Sequence, residues 1–184
     1  MRVLILDLDG VTAHYLAAAR AAMKFPVPAN CYKFSGLTPE QKEELLAFMN
    51  SREGLMACGV DKSIKDLVNV CELAGIHIWI MTARQKFTSM SKAWLKANGI
   101  NFNRYIVARY KAAVIAMLLD QHPTCEFIMI DDSPEHIQGV NAIGSSRAKG
   151  FLYLRDGQDY SFKADIESTC TPGNVVERIM SIWK

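Results

Sequence analysis

The chain has 184 residues, half of them hydrophobic, which is enough for one buried core and a small accessory subdomain. Lysine and arginine number 21 against 19 acidic residues, and the net charge of +2 gives no support for nucleic acid or an anionic membrane as a partner. Five cysteines, Cys31, Cys58, Cys71, Cys125 and Cys170, lie scattered without a CxxC pair and read as reduced thiols of a cytoplasmic protein. No apolar run approaches ~18 residues and no secretion signal opens the chain, so neither membrane insertion nor secretion is expected.

The first run, Val3-Leu4-Ile5-Leu6-Asp7-Leu8-Asp9-Gly10-Val11, is apolar until it ends in two carboxylates and a glycine. That is the pattern of a buried parallel strand whose C-terminal end opens into a site. Side chains two apart in extended chain share a side, so Asp7 and Asp9 are expected to face one centre while Leu8 points away. Gly10 permits a sharp turn or a close approach. Two acids this close repel unless neutralised, and a hard divalent cation with oxygen ligands suits that task. The alternative is that one acid caps a helix and the other is solvated.

Roughly 65 residues then separate Asp9 from the next apolar run, far more than a crossover helix needs. The surplus holds an alanine-rich stretch at 16–23, the break Pro26-Val27-Pro28, and an amphipathic stretch at 38–49 opening Thr38-Pro39-Glu40-Gln41. It reads as a small helical insertion seated over the strand ends and able to close over the site. A surface elaboration without a catalytic part is the other reading.

Further strands are expected at residues 76–81, 105–108, 126–130 and 151–154, with helical patterns between them, which argues a parallel sheet covered on both faces. Ser63 precedes Ile64, Leu67, Val68 and Cys71 at helical spacing, and Gly75 stops that helix. Phe87, Met90, Trp94 and Leu95 make another apolar face, ended by Asn98-Gly99. Residues 112–119 are apolar nearly all round, which predicts the most buried helix, closing at His122-Pro123. Ser133-Pro134-Glu135 opens a further helix. From Phe151 the chain reads as an edge strand, an irregular stretch and a closing helix from Asn174 to Trp183, with Glu177 in a capping-box position. That helix is expected on the sheet, with a homodimer contact through an exposed Trp183 as the alternative.

The residues just beyond the strands carry the chemistry. Thr82-Ala83-Arg84 offers a hydroxyl, backbone N–H groups expected at a helix start and a guanidinium, all suited to phosphate. Lys111 comes after the third strand as a compact positive charge, and Asp131-Asp132 ends the fourth as a second pair of acids. Each has a plain structural use as cap, solvated charge or helix-dipole partner. Together they occupy the C-terminal strand ends, the edge where open parallel sheets place ligands.

In order and spacing, Asp7-Leu8-Asp9-Gly10-Val11, Thr82, Lys111 and Asp131-Asp132 resemble the four signature motifs of the haloacid dehalogenase superfamily, over about three quarters of the chain. The resemblance implies a Rossmann-like α/β core at residues 1–12 and 61–184, a small helical cap at 13–60, and Mg²⁺-dependent phosphoryl transfer through an aspartyl-phosphate. It makes Asp7 the nucleophile and a metal ligand, and Asp9 the general acid and base that also offers its backbone carbonyl to the metal. Thr82, Ala83, Arg84 and Lys111 correspond to phosphate binders. Asp131 and Asp132 correspond to metal-site acids, with Asp132 as direct ligand and Asp131 acting through water. Val11 stands where threonine is common. The acid at Asp9 favours phosphotransfer over dehalogenation.

The modest cap, Thr82-Ala83-Arg84 and Ile130-Asp131-Asp132-Ser133-Pro134 most resemble the 5′(3′)-deoxyribonucleotidase group, which implies a nucleoside monophosphate as substrate. Tyr15, Phe25, Tyr32, Phe34 and Phe48 are then candidates to stack the base, with packing inside the cap as their other use. Three alternatives stay open: a phosphatase of another small metabolite, one of polynucleotide 3′ ends, and a non-catalytic member binding a phosphoester or a protein. The near-neutral charge argues against a stable nucleic-acid complex, and the intact acid set against loss of catalysis.

Overall fold

The computed structural model describes residues 1–28, 34, 36–155 and 168–183. Six parallel strands make one sheet: β1 (Arg2–Leu6), β2 (His77–Thr82), β3 (Arg104–Val107), β4 (Glu126–Asp131), β5 (Ala148–Tyr153) and β6 (Thr169–Cys170). Their spatial order is β3-β2-β1-β4-β5-β6. Alternation with period two divides the strand side chains between the faces. Leu4, Leu6, Ile78, Ile80, Ile128 and Ile130 meet the apolar faces of α4 (Lys62–Leu73), α5 (Thr88–Ala97) and α8 (Val175–Met180). Val3, Ile5, Trp79, Met81, Phe127 and Met129 meet α6 (Lys111–Gln121) and α7 (Pro134–Asn141). Each such aliphatic side chain withdrawn from water stabilises the fold by ~1.5–3 kcal/mol, so a sheet buried on both faces holds its register firmly.

The order places β1 between β2 and β4, with the crossovers leaving in opposite directions, so the C-terminal ends of β1 and β4 flank the switch point of the sheet. The Asp7 N–H donates to the Ile130 carbonyl at 3.0 Å, which carries the pairing one step beyond β1. Both acid pairs therefore arrive at one place.

Between β1 and α4 the described residues form three α-helices: α1 (Tyr15–Ala22), α2 (Pro39–Met49) and α3 (Arg52–Ala57), the last not foreseen from the sequence. Thr38 and Gln41 form the capping box at the start of α2, each side chain accepting from the other's backbone N–H, at 3.3 and 3.0 Å. Ala19, Val27, Leu37 and Leu45 gather into a cluster separate from the two sheet faces. The insertion leaves and rejoins the core through one paired hinge, with the His14 N–H on the Gly59 carbonyl at 3.0 Å and the Asp61 N–H on the Thr12 carbonyl at 3.3 Å.

Several local expectations are corrected. α4 is capped by the Asp61 carboxylate, which accepts from the Ser63 and Ile64 N–H groups, so Ser63 lies inside the first turn. α6 keeps a solvated side at Ala113 and Met117 and is no more buried than α4, because it rests on one sheet face with water on the other. α5 begins at Thr88 after a left-handed Phe87 (φ 60°), so no helix starts at Thr82-Ala83-Arg84. β5 is an inner strand, since β6 pairs outside it. Asn174 spends its side chain on the Thr171 N–H at 2.8 Å, and no capping box forms with Glu177. After α8 the chain tightens into a 3-10 turn (Ser181–Trp183) that buries Trp183 in the core, which removes it as an exposed contact. No described helix is long and apolar enough to cross a membrane.

Candidate active site

Asp7 follows the last residue of β1 and is 5% exposed; Asp131 ends β4 and is 1% exposed; Lys111, the first residue of α6, is 2% exposed. The Lys111 Nζ donates to Asp7 Oδ1 at 2.5 Å and to Asp131 Oδ2 at 2.6 Å. Three charges with so little water must compensate one another. Burial works against the Lys111 charge, but Asp131 and Asp7 outweigh it and keep the ammonium above its ordinary range. Burial likewise works against the Asp131 carboxylate, and Lys111 and His136 hold it below its ordinary value. His136 Nδ1 lies 3.1 Å from Asp131 Oδ2, and the Ser133 N–H donates to Asp131 Oδ1 at 2.9 Å. Sequence reasoning missed His136. Its signal was its place in the first turn of the helix that opens directly after the Asp131-Asp132 pair.

Asp7, Asp131 and Asp132 present carboxylate oxygens within 4.8 Å of one another. Among the described residues none donates a hydrogen bond to Asp132, whose carboxyl is pushed well above its ordinary value by burial and then by Asp131 and Asp7. Burial, outweighing the Lys111 ammonium, and then Asp131 and Asp9, push Asp7 up to about 7. Excess negative charge on hard oxygen donors is what a divalent cation such as Mg²⁺ relieves, so the residues fit the ion. The backbone fits as well. Gly10 has φ +93°, and a Cβ built there would lie 2.0 Å from Asp132 Oδ2. Glycine is thus what lets the turn after β1 and the second acid pair approach one another.

Asp7 and Asp9 do not share the extended geometry expected of them. β1 ends at Leu6, and the following loop curls back, with Gly10 N–H on the Ala13 carbonyl at 3.0 Å and Ala13 N–H on the Leu8 carbonyl at 2.7 Å. Thr12, also missed, donates its hydroxyl to the Asp7 carbonyl at 2.7 Å and fixes the turn. Leu8 is buried in the core as expected. The Asp7 carboxylate goes to Lys111, whereas the Asp9 carboxylate goes to Arg84. Arg84 Nε lies 3.3 Å from both Asp9 oxygens and Nη2 3.1 Å from Oδ1. Burial raises Asp9 above its ordinary value despite the guanidinium. Asp9 stands outside the carboxylate triad, so any part it has in metal binding is left to its backbone carbonyl.

Thr82 is fully buried, and its Oγ1 accepts from the Arg84 N–H at 3.0 Å, closing the turn after β2. Ala83 is exposed. Arg84 is engaged with groups of the protein itself. That engagement leaves the phosphate role open at Nη1: besides Asp9, the Arg84 Nη2 donates to the Met49 carbonyl at 2.7 Å, and its guanidinium carbon sits 4.8 Å from the centre of the Tyr15 ring. Among the described residues the Arg84 Nη1 is buried without a hydrogen-bond partner, and the Tyr15 hydroxyl is buried against Asp9 and Cys58. Of the proposed base-stacking aromatics, Phe25, Phe34 and Phe48 pack against the Ala19, Val27, Leu37 and Leu45 cluster. Their apolar surface is more fully withdrawn from water there than on an open platform. Tyr15 alone of these four lies beside Asp9, and Tyr32 is outside the described residues.

A further residue fixes this end of the sheet. Arg155, two residues beyond β5, donates to the Gly10 and Val11 carbonyls and to Asp61 Oδ2. It binds both strands of the hinge to the loop that carries Asp9. Its signal in the sequence was only its place at another C-terminal strand end.

No protein-family model and no curated protein matches the chain. Among solved structures 59 chains match. A beta-phosphoglucomutase from the archaeon Pyrococcus sp. strain ST 04 is similar with a TM-score of 0.60 at 16% identity, over 100% of this chain and 99% of its own. A predicted phosphatase from Clostridium acetobutylicum gives 0.64 at 14%, over 98% of each chain. A haloacid dehalogenase-like family hydrolase from Xanthomonas campestris gives 0.57 at 13%, over 99% of this chain and 96% of that one. At these identities the likeness establishes the fold, which is the Rossmann-like α/β fold of haloacid dehalogenase-type hydrolases.

Proposed function

We propose that the protein is a Mg²⁺-dependent phosphomonoesterase that works through an aspartyl-phosphate on Asp7. The observation that carries this reading is the convergence of Asp7, Asp131 and Asp132 on one oxygen-lined point, with Lys111 bridging two of them. Asp132 would be the direct metal ligand, since its carboxylate has no other engagement among the described residues, while both Asp131 oxygens already accept hydrogen bonds. Bound at the triad, the cation supplies the positive charge that lets an anionic carboxylate meet an anionic phosphoryl group.

The chain's own residues supply the remaining chemistry. Asp7 is held at Oδ1 by Lys111, which leaves Oδ2 to form the bond to phosphorus as the bond to the leaving alcohol breaks. Asp9 gives its proton to that alcohol, then takes one from the water that attacks the phosphorus and releases Asp7. A general acid needs a pKa near the working pH, and burial moves Asp9 in that direction. Lys111 steadies charge that spreads over the phosphoryl oxygens, with the Thr82 hydroxyl and the Ala83 N–H as further donors, the Arg84 N–H being spent on Thr82. The helices of residues 13–60 act as a cap that limits the site to small esters and excludes water.

A nucleoside monophosphate is the substrate implied by the motif endings, and Tyr15, buried beneath Arg84, is the described candidate aromatic that lies beside Asp9. A hexose phosphate is the second reading, favoured by the packing of Phe25, Phe34 and Phe48 inside the cap and by the similarity to a phosphoglucomutase. Phosphate release from ribo- and deoxyribonucleoside monophosphates and from sugar phosphates, with Mg²⁺ or chelator and alongside Asp7→Asn, tests both. Release concentrated on deoxynucleotides and abolished in Asp7→Asn supports the nucleotidase reading. Release on sugar phosphates keeps the mechanism and replaces the substrate. An absence of release from every one of these esters, and from a 3′-phosphorylated oligonucleotide added to the panel, overturns the phosphatase reading.

A further inference from the structure

Resting on the phosphatase reading, we propose that Arg84 is a positioning residue that ties closure of the cap to the alignment of Asp9. Arg84 belongs to the core, two residues beyond β2, yet its guanidinium meets two of the cap helices. The Met49 carbonyl at 2.7 Å is the last of α2, and the Tyr15 ring 4.8 Å away belongs to the first residue of α1. The carbonyl end of a helix is the negative end of its dipole and leaves acceptors without intrahelical partners, so it attracts a cation.

The same guanidinium grips Asp9 through Nε and Nη2. One nitrogen, Nη2, serves Asp9 Oδ1 and the Met49 carbonyl together, so the angle at which Arg84 holds the acid depends on where α2 ends. A planar fork held by a ring beneath it and acceptors on two edges has one orientation; withdrawing α2 and α1 removes two of those three restraints. Asp9, with its side chain 27% exposed, then loses the group that aims it.

The seam has room for such movement. A groove of ≈ 530 Å³ lies between α3 and α5, lined by Met56, Cys58, Met90 and Trp94 among others, so the cap and the core are not packed shut along it. A substrate that holds the cap against the core therefore also keeps the acid aimed, and withdrawal of α1 and α2 releases it. The competing role is phosphate capture by the unpartnered Nη1.

The test compares wild type, Arg84→Met and Arg84→Lys with Mg²⁺ on the best ester of the panel, and measures kcat, KM and inhibition by inorganic phosphate. Positioning predicts that kcat falls about tenfold or more in both variants, because a misaimed acid fails in both half-reactions while phosphate still binds. KM and the phosphate inhibition constant stay within about twofold. Lysine fails because it keeps the charge and loses the fork. Tyr15→Phe removes the hydroxyl beside Asp9 and serves as the reference; from it, Tyr15→Leu lowers kcat by a smaller factor than Arg84→Met does, and that further loss vanishes in the Arg84→Met background, since the ring acts through the guanidinium. A rise in KM and in the phosphate constant with kcat kept overturns the proposal in favour of phosphate capture, as does full additivity of the two substitutions. Should Arg84→Met not fold, Arg84→Lys and Tyr15→Leu carry the same comparison. An inactive wild type sinks the phosphatase reading instead, which separates the two failures.

Discussion

Replacing Lys111 with methionine keeps most of the stem and removes the ammonium that Asp7 and Asp131 share at 2.5 and 2.6 Å. Both carboxylates are buried, so neither can turn to water for compensation. Breaking a buried pair from one side costs ~3–5 kcal/mol. For a domain of this size each kcal/mol moves the midpoint by about 2–4 °C, so a fall of ~6–20 °C is expected in thermal unfolding with chelator present.

The pH dependence comes from the sign of the shifts. Asp7 already stands raised to about 7 in the intact site, and loss of Lys111 raises it further and lifts Asp131 as well. An acid with a raised folded pKa is fully accommodated below its unfolded value and loses stability as pH rises toward the folded one. The deficit of Lys111→Met relative to wild type is therefore largest near pH 8 and shrinks toward pH 4. Adding Asp7→Asn recovers part of it, because one of the two stranded charges is gone. A deficit below ~1 kcal/mol, the scale of an exposed ion pair, or one unchanged across that pH range, would refute the reasoning.

Three other outcomes are expected. Asp132→Asn raises the midpoint in chelator at pH 8 by the equivalent of ~1 kcal/mol, since it removes a half-buried carboxylate crowded by Asp131 and Asp7, and it abolishes the stabilisation by added Mg²⁺; calorimetry with and without Mg²⁺ reads both. Gly10→Ala places a Cβ 2.0 Å from Asp132 Oδ2 at φ +93°, so it costs ~1–2 kcal/mol in backbone strain and displaces the acid, and a retained response to Mg²⁺ would mean that the loop has slack. Asp9→Asn lowers kcat by ~10²–10⁴ while the Mg²⁺-dependent rise in melting temperature persists, because its carboxylate lies outside the triad; unchanged turnover would remove it as the acid and base.

The strands of the core were legible because a sheet buried on both faces must be written in continuous apolar runs, and a strand that ends in Asp7-Leu8-Asp9-Gly10 or Asp131-Asp132 marks which end opens. Parallel geometry then brings those ends to one edge whatever the helices do, so the assembly of Asp7, Lys111 and Asp131 was determined by the one-dimensional pattern. The side-chain partners were decided elsewhere. Spacing reports of Arg84 only that it comes after β2; that it turns to Asp9 and the end of α2 depends on where the chain between β1 and α4 folds back, which no local pattern carries. His136 and Arg155 meet Asp131 and the Gly10 loop through contacts set by helix placement and by a strand-end loop far along the chain. The aromatics of the insertion looked alike in sequence, and only tertiary packing separated Phe25, Phe34 and Phe48, closed into a small cluster, from Tyr15 beneath Arg84. Periodicity encodes which face is buried; which polar group a buried charge finds is settled by long-range packing.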